Sequence, residues 1–243
     1  MKRSTLRRHA LLAAAAWPLA ASALDLGRLL GGTKGSGNIV HREIDPGEFD
    51  SLEVGGDLEV VLRQARPPRV VVDIDDNLWP LLEARVRGRT LRLRPTRTIA
   101  PTRLAIVVDA WVLEGIGVAG SALVTSTGFV SKQLSAGVAG SARLRLDEFT
   151  AESLTLHLAG SAQARLAGRA NEMDAAVAGS AQLAALGFEV RRVTIKVAGA
   201  GQADVWASDT LDGAVAGSAG LRYRGDPKLG VSRAGSATIG RKS

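Results

Sequence analysis

The sequence predicts an all-β fold, a parallel β-solenoid with coils of about 20 residues behind a less regular, β-rich N-terminal cap. The first observation is a repeat of the type Ala-Gly-Ser-Ala, whose seven copies have their glycines at Gly120, Gly140, Gly160, Gly179, Gly199, Gly217 and Gly235. Successive glycines are 20, 20, 19, 20, 18 and 18 residues apart. A unit of this length cannot bury its own apolar face, so the copies must stack and share one core.

The second observation is a hydrophobic period of two that continues across each glycine. Before Gly160, the apolar residues Leu156 and Leu158 alternate with the polar residues Thr155 and His157, and the other copies follow the same alternation. A period of two is typical of a strand with one face in the core, whereas a helical repeat needs a period of 3.6. A further repeat position, nine residues after the glycine, holds Phe129, Phe149 and Phe188.

The third observation is the composition, which limits both the core and the chemistry. The 243 residues include 28 Gly, no Cys and only 4% aromatic residues, although 46% are hydrophobic. The core must therefore consist mainly of Ala, Val and Leu in narrow, regular layers. Without Cys the chain forms no disulfide, no thiolate metal site and no thiol nucleophile. The length suits a single all-β domain.

The first 37 residues are expected to lie outside the folded domain. Residues 1–23 combine a basic start, an apolar run and the small residues Ala21-Ser22-Ala23, which are together typical of a secretory signal peptide. The run is shorter than the ~20 residues of a membrane span, and Arg7-Arg8 leaves a twin-arginine export route open. Residues 24–37 are predicted to be a flexible lead. Loss of the signal's four basic residues lowers the formal charge from +7 to +3. We expect a mature protein without a transmembrane segment, in the periplasm, at the cell surface or outside the cell.

Residues 38–240 are predicted to form one domain, with irregular opening strands at 38–110 and the repeats at 111–240. Five segments of the first part are predicted strands: 49–54, 58–62, 70–72, 91–93 and 104–108. Residues 77–86 are the one stretch whose pattern allows a short helix. An open solenoid end exposes unpaired backbone, so we expect the first part to form wider opening coils or a small β layer that caps the solenoid.

Together these features resemble the autotransporter-adhesin head, or GIN, domain family of bacteria, a domain of unknown function. The resemblance covers roughly residues 37–240 and rests on the repeats together with Ile39-Val40-His41-Arg42-Glu43, Phe49, Leu52-Glu53-Val54-Gly55-Gly56 and Tyr223-Arg224-Gly225-Asp226-Pro227. The family repeat is commonly Ser-Gly-Ser-Gly, whereas this chain has Ala-Gly-Ser-Ala, which keeps the size and removes hydroxyl groups. The resemblance implies a right-handed β-helix, export, a role in adhesion and no established catalytic residues.

The serines of the repeats are the first candidates for chemistry: Ser121, Ser141, Ser161, Ser180, Ser218 and Ser236. A nucleophilic serine needs a neighbouring base and an acid that orients the base. In the repeats only His157 could be that base, and it lies four residues from Ser161 at an outward position. We therefore expect a ladder of solvated hydroxyls and no catalytic serine.

The acidic residues also fall short of a site. Asp73-Ile74-Asp75-Asp76 lacks the glycine and terminal glutamate of a calcium loop. Asp174 and Asp212 share a repeat position but are separated by Thr194, whereas a polysaccharide lyase or hydrolase needs clustered carboxylates. No catalytic residue, metal or cofactor is predicted.

An arginine run is the one concentrated charge feature, and its members are Arg85, Arg87, Arg89, Arg92, Arg94 and Arg97. Arg92 and Arg94 alternate with Leu91 and Leu93, which is the pattern of a strand with one solvated face. The run is also a candidate patch for an anionic glycan such as lipopolysaccharide or teichoic acid. Nucleic acid is not an expected partner of an exported protein without aromatic platforms.

The leading functional prediction is a noncatalytic exported envelope or surface module. It would bind a glycan or a surface protein through a repetitive β face. The alternative is a carbohydrate-active enzyme, a polysaccharide lyase or hydrolase built on a β-helix, which a convergent cluster of acids would reveal.

Overall fold

The computed structural model describes residues 32–242, so the expected signal peptide and residues 24–31 lie outside the described residues. In chain order the strands are β1 (Thr33–Lys34), β2 (Ile39–Ile44), β3 (Ser51–Val54), β4 (Glu59–Gln64), β5 (Arg69–Asp75), β6 (Leu82–Arg87), β7 (Thr90–Pro95), β8 (Ile99–Ala100), β9 (Leu104–Ala110), β10 (Gly115–Val118), β11 (Leu123–Thr127), β12 (Val130–Gly140), β13 (Arg143–Gly160), β14 (Gln163–Gly179), β15 (Gln182–Gly199), β16 (Gln202–Gly217), β17 (Gly220–Arg224), β18 (Lys228–Gly235) and β19 (Thr238–Arg241). The five predicted strands of the opening third coincide with β3, β4, β5, β7 and β9. Over the same residues, no helix has the length and apolar character needed to cross a membrane.

The repeats form the predicted parallel β-solenoid. β10 pairs with β12, and β12, β13, β14, β15, β16 and β18 then pair one after another in parallel register. One ladder joins Val138, Leu158, Val177, Val197 and Val215, all of which are buried. Equivalent residues of neighbouring coils are separated by the strand spacing of ~4.8 Å, so each apolar side chain covers its counterpart in the next coil. The period of two is confirmed, because the apolar positions of the alternation are the buried ones.

Each coil has three sides, and the breaks between them are visible in the burial pattern. In β13 the alternation of buried and outward residues is interrupted at residues 147–148 and 152–153, and it ends at the Ala-Gly-Ser corner. The sides that result are Leu154–Leu158, Arg143–Leu146 and Phe149–Ala151. With their equivalents in the other coils, we name these surfaces side A, side B and side C, in that order.

The predicted phenylalanine column lies inside the solenoid at side C. Phe149 and Phe188 stack with their ring centroids 6.1 Å apart. Gly168 pairs with both of them from the intervening coil. A Cβ atom on this glycine would lie 2.0 Å from the carbonyl oxygen of Phe149. Gly168 therefore permits a close approach to the backbone of Phe149, and the two rings of the flanking coils are buried and stack in the core.

The opening third contributes coils to the same stack, in an order that differs from the order of the sequence. β3 and β4 lie beside β10 and β11, so that Val54 pairs with Val118 and Val60 with Val124. On their other side, β3 pairs with β7 and β4 pairs with β9. The coil of β3 and β4 therefore lies between the coil of β7 and β9 and the first Ala-Gly-Ser repeat.

A small antiparallel layer closes the N-terminal end of the stack. β5 pairs antiparallel with β9 and with β2, and β6 pairs antiparallel with β7. The predicted cap is confirmed, and it combines opening coils with a covering β layer. The short helix considered for residues 77–86 is wrong. Trp79–Leu81 forms a single 3-10 turn and the chain continues as β6, because pairing with β7 outweighs local helical preference.

Residues 32–37 are hydrogen-bonded to the cap, although the sequence places them in a flexible lead. β1 pairs with β8. The backbone amide of Gly37 donates to the carboxylate of Asp75 at 2.7 Å, and that of Ser36 donates to the side-chain oxygen of Asn77 at 3.0 Å. These bonds attach the start of the described chain to the covering layer.

Candidate functional site

The serine column lies on the outer surface at one corner of the solenoid. All six serines are exposed, and the backbone amides of Ser121, Ser141, Ser161, Ser180 and Ser218 make the regular contacts of the corner. The amide of Ser161 donates to the carbonyl oxygen of Gly140, and that of Ser141 to Gly120, each at 2.8 Å. His157 is exposed on side A. Between residues 32 and 242, no serine of the column hydrogen-bonds a histidine or a carboxylate through its hydroxyl. The arrangement provides no base for a serine nucleophile.

A histidine–aspartate pair that the sequence analysis missed lies in the cap. Antiparallel pairing of β2 with β5 places His41 opposite Asp73, and His41 Nδ1 is 2.7 Å from Asp73 Oδ1. Arg103 lies 3.7 Å from the other oxygen of the same carboxylate. The two members are far apart in the sequence, so only the strand pairing reveals them. Across the described chain no serine or threonine hydroxyl bonds to this pair, which is therefore a surface hydrogen-bonded pair without a neighbouring hydroxyl nucleophile.

The acidic run at residues 73–76 holds the start of the described chain. Asp75 is buried and accepts hydrogen bonds from the backbone amides of Gly37 and Thr102, at 2.7 and 2.8 Å. Burial raises the pKa of Asp75, but hydrogen bonds from Gly37, Thr102 and Arg103 together lower it by more, so that its pKa lies below the ordinary value. Asp76 accepts a hydrogen bond from the hydroxyl of Ser36. Within residues 32–242, no three His, Asp or Glu side chains are grouped so that they could hold a metal ion.

The acids considered for polysaccharide cleavage stay apart. Asp174 and Asp212 both pair with Thr194 of the coil between them. Both are exposed on side A, whereas the general acid of a glycosidase needs a sheltered carboxyl group. The geometry does not bring them into one catalytic cluster.

Four members of the arginine run come together on the β6–β7 pair. Arg85 lies opposite Arg92, Glu83 lies opposite Arg94, and Arg87 ends β6. Of the other two members, Arg89 precedes β7 and Arg97 follows it. The alternation in the sequence thus identified a continuous solvated strand face.

Carboxylates neutralise much of this face. The side chain of Glu83 is only 6% exposed, and it accepts hydrogen bonds from Arg94 at 2.8 Å and from Arg85 at 2.6 Å. These two guanidinium groups lower the pKa of Glu83 from 4.5 to about 2. Further ion pairs join Arg87 to Glu83, Arg89 to Asp50 and Arg92 to Glu53. Among the described residues, Arg97 alone of the six has no carboxylate within 4 Å. The run therefore has less unpaired positive charge than its sequence indicates.

A groove of about 670 Å³ follows side C across four coils. It is lined by apolar and oppositely charged side chains, among them Val130, Lys132, Glu152, Arg169, Glu189 and Arg191. Arg169 pairs in register with Glu189 of the next coil, so charges of opposite sign are neighbours along the stack. This surface is not recognisable in the sequence, because the residues that form it are about 20 residues apart and become neighbours only after the coils stack.

Exposed apolar side chains lie beside the N-terminal end of this groove, where Val130 lines it and Trp111 and Val112 line an adjacent pocket. Trp111 is 46% exposed, Val112 49% and Val130 56%. Gln64 joins their backbones, since its amide nitrogen donates to the carbonyl oxygens of Trp111 and Val130 and its oxygen accepts from the Val130 amide. The Arg66 guanidinium lies 4.6 Å from the centroid of the Trp111 ring. In the sequence, this apolar surface is indicated only by the adjacent Trp111 and Val112, which directly precede the repeats in a chain poor in aromatic residues.

Comparison with known proteins places this fold among bacterial adhesin-like domains. A family model described as "Putative auto-transporter adhesin, head GIN domain" matches residues 48–227. A search of curated proteins gave no match. The chain is similar to a "putative adhesin" of Bacteroides fragilis, with a TM-score of 0.81, 20% identity and coverage of 87% of this chain and 100% of that one.

Two further solved structures have similar folds. One is a "putative adhesin" from Parabacteroides merdae, with a TM-score of 0.69 and 20% identity over 87% of this chain and 99% of that one. The other is a "putative lipid binding protein" from Parabacteroides distasonis, with a TM-score of 0.69 and 23% identity over 86% and 99%. At these identities the structures show the shared fold alone. The family model covers both the cap and the repeats, and the chain therefore belongs to the auto-transporter adhesin head GIN domain family.

Proposed function

We propose that the protein is a noncatalytic, exported adhesion module that binds a glycan or a surface protein through the outer faces of its coils. The observation that carries this proposal is the groove on side C. It extends across four coils, whereas a catalytic site brings a few groups together at one reacting bond. Family membership and the expected signal peptide support a location in the periplasm or at the cell surface.

The chemistry of the groove suits an extended ligand. At one end Val130 lines the groove, and Trp111, joined to Val130 through Gln64, adds exposed apolar surface beside it. Farther along, Glu152 and Arg169 offer an acceptor and a donor of hydrogen bonds. Binding sites commonly combine apolar contact area with a few polar groups that fix orientation. The cap arginines are a second proposed contact, which would attract an anionic envelope glycan over a distance.

The test is a binding experiment with the full-length protein and fragments of bacterial envelope polysaccharide. Retention on the immobilised protein is measured together with the appearance of new reducing ends and of unsaturated uronate products. We expect retention without turnover. A double variant, Trp111→Ala with Val130→Ser, should weaken retention, since it removes the apolar end of the groove and leaves the backbone bonds of Gln64 in place.

Val61→Ser is the matched control, because Val61 is 47% exposed and points outward from side B. It should bind like the parent protein. If the parent protein cleaves any of these polysaccharides, and replacement of an acidic residue abolishes the cleavage, the enzymatic alternative is established instead.

A further inference from the structure

Three arginines meet on side B across two neighbouring coils. Arg143 and Arg145 are alternate residues of β13, and both are exposed. Arg145 pairs in register with Arg165 of β14, which is also exposed. Parallel pairing places the backbones of Arg145 and Arg165 at the strand spacing of ~4.8 Å. Like charges on adjacent strands repel each other, so this arrangement calls for a negatively charged partner.

The part of the chain that the structure describes supplies one such partner, Asp147. Arg145 donates to the carboxylate of Asp147 at 2.5 Å. Over residues 32–242, neither Arg143 nor Arg165 has a carboxylate within 4 Å. The next acid along the Arg145–Arg165 column is Asp204, which lies two coils beyond Arg165 and is held by Arg222 through bonds of 2.6 and 2.8 Å. In the described part of the chain, two of the three guanidinium groups are thus without a carboxylate, in contrast to the cap, where Arg85, Arg87 and Arg94 all pair with Glu83.

The three arginines line a groove of about 390 Å³, together with Thr125, Gln163 and Gln182. Guanidinium groups can only donate hydrogen bonds, and amide and hydroxyl groups can donate as well. Gln163 pairs in register with both Arg143 and Gln182, so the donors continue along the stack. None of the described residues that line this groove is an Asp or a Glu. Its chemistry is complementary to an oxyanion.

We infer that this groove binds the sulfate, phosphate or carboxylate group of an anionic glycan, with Arg143 and Arg165 as its main contacts and Arg145 between them. The fork of a guanidinium group matches the oxygens of such an anion and can form two parallel hydrogen bonds with it. The repeating coils favour a polymer, because the donors lie along the axis of the solenoid. This inference rests on the proposed adhesive function and specifies the ligand class.

The test compares dextran sulfate with unsulfated dextran of the same length, two polymers that differ only in charge. Affinity for the full-length protein is measured at low and at physiological salt. The double variant Arg143→Gln with Arg165→Gln should bind dextran sulfate about tenfold more weakly at low salt, the scale expected for two solvent-screened contacts. Glutamine already occupies the repeat position of Arg143 at residues 163 and 182, and Arg165 is exposed, so both strands should accept the changes. Lysine at both positions keeps the charge but loses the forked guanidinium group. The affinity of this variant for dextran sulfate should therefore lie between those of the parent protein and the double glutamine variant.

Arg222→Gln with Arg224→Gln is the matched control, because it removes the same charge from β17, which continues side B. It should lose less than about threefold, since Arg222 is already paired with Asp204. Equal losses in the two double variants, or parent-like affinity of the Arg143 and Arg165 variant, would overturn the inference. So would tighter binding of duplex DNA than of dextran sulfate, because the groove would then select a nucleic acid.

The outcome separates this inference from the proposed function. Retention of envelope fragments without any preference for dextran sulfate over dextran overturns the anion groove and leaves the adhesive function intact. Absence of retention, or turnover of the fragments, overturns the adhesive function itself and the inference that rests on it.

Discussion

The backbone amide of Ser121 donates a hydrogen bond of 2.8 Å to the carbonyl oxygen of Gly56, although most of the cap lies between them in the sequence. The same contact joins four later corners, those of Ser141, Ser161, Ser180 and Ser218, to the glycine of the preceding coil. Gly120 has a φ of +77°, and a Cβ atom there would lie 2.8 Å from the Gly56 oxygen. The corner therefore depends on a left-handed backbone and on close approach between coils.

Gly120→Ala should lower the free energy of unfolding by about 1–3 kcal/mol, because alanine is strained at positive φ and its methyl group meets the Gly56 carbonyl. Gly137→Ala is the control, since Gly137 faces open space without a positive φ. Its effect should stay within about 0.5 kcal/mol. Urea denaturation of both variants measures the difference, and equal midpoints would contradict the close approach at the corner.

The sequence predicted the repeats better than it predicted the cap, for a physical reason. Along the solenoid each coil is translated onto the next. The alternation around Gly160 therefore shows which residues point inward, and the regular spacing of the glycines shows which residues of adjacent coils are neighbours. The Val54-Gly55-Gly56 segment is part of the same column as Val118-Ala119-Gly120, but the strands of the covering layer interrupt the spacing. The repeat was therefore not recognised there.

The candidate sites were less predictable, because they depend on which strands become neighbours. The arginine run was visible in the sequence, but Glu83 becomes the ion-pair partner of Arg94 only when β6 pairs antiparallel with β7. Arg145 and Arg165 are 20 residues apart, and nothing local marks them as a pair. They become neighbours because β13 and β14 pair in parallel register.

The strand phase predicts opposite results for two adjacent substitutions on side A. Leu156 is fully buried, so Leu156→Arg places an unpaired charge in the core at a cost of several kcal/mol, a large share of a typical stability. Thr155 points outward on the same strand, and Thr155→Arg should change the free energy of unfolding by about 0.5 kcal/mol or less. Chemical denaturation distinguishes them, and similar midpoints would show that the assigned phase is incorrect.

Replacement of two buried serines by alanine should change the stability of the protein in opposite directions. The hydroxyl of Ser126 is buried without a hydrogen-bond partner in the described structure, between Leu62 and Leu146 in register. Ser126→Ala should stabilise the protein by up to about 1 kcal/mol, because it removes an unsatisfied polar group. The buried hydroxyl of Ser131 donates to the Leu113 carbonyl oxygen at 2.7 Å, so Ser131→Ala should destabilise it by about 1 kcal/mol. Thermal unfolding of both variants checks the signs.

Glu83 predicts part of the pH dependence of stability. Its pKa is lowered from 4.5 to about 2 in the folded protein by hydrogen bonds from Arg94 and Arg85. As the pH falls, the Glu83 carboxylate is therefore protonated at a higher pH in the unfolded chain than in the folded protein. The stabilising contribution is therefore complete above pH 4.5 and is lost as the pH falls from 4.5 towards 2.

Urea midpoints measured from pH 7 to pH 2 should therefore fall less steeply for Glu83→Gln than for the parent protein. The variant should also be less stable at pH 7, since Arg85 and Arg94 lose their shared carboxylate. Glu152→Gln, at an exposed carboxylate of side C, should follow the parent profile. Identical slopes for parent and Glu83→Gln below pH 4.5 would show that the buried carboxylate does not contribute.

The cap arginines predict a small, salt-sensitive contribution to ligand retention. Arg92→Gln with Arg97→Gln removes two charges and leaves Arg85 and Arg94 on Glu83, so the fold should be preserved. Retention on an anionic envelope polysaccharide should fall about two- to threefold at low salt, because most of the neighbouring arginines are already paired. At physiological salt the difference should vanish, since exposed charges farther apart than ~8 Å are strongly screened. If the variant matches the parent at every salt concentration, the cap arginines serve only their ion pairs, and the contacts with an anionic ligand lie on the repeats.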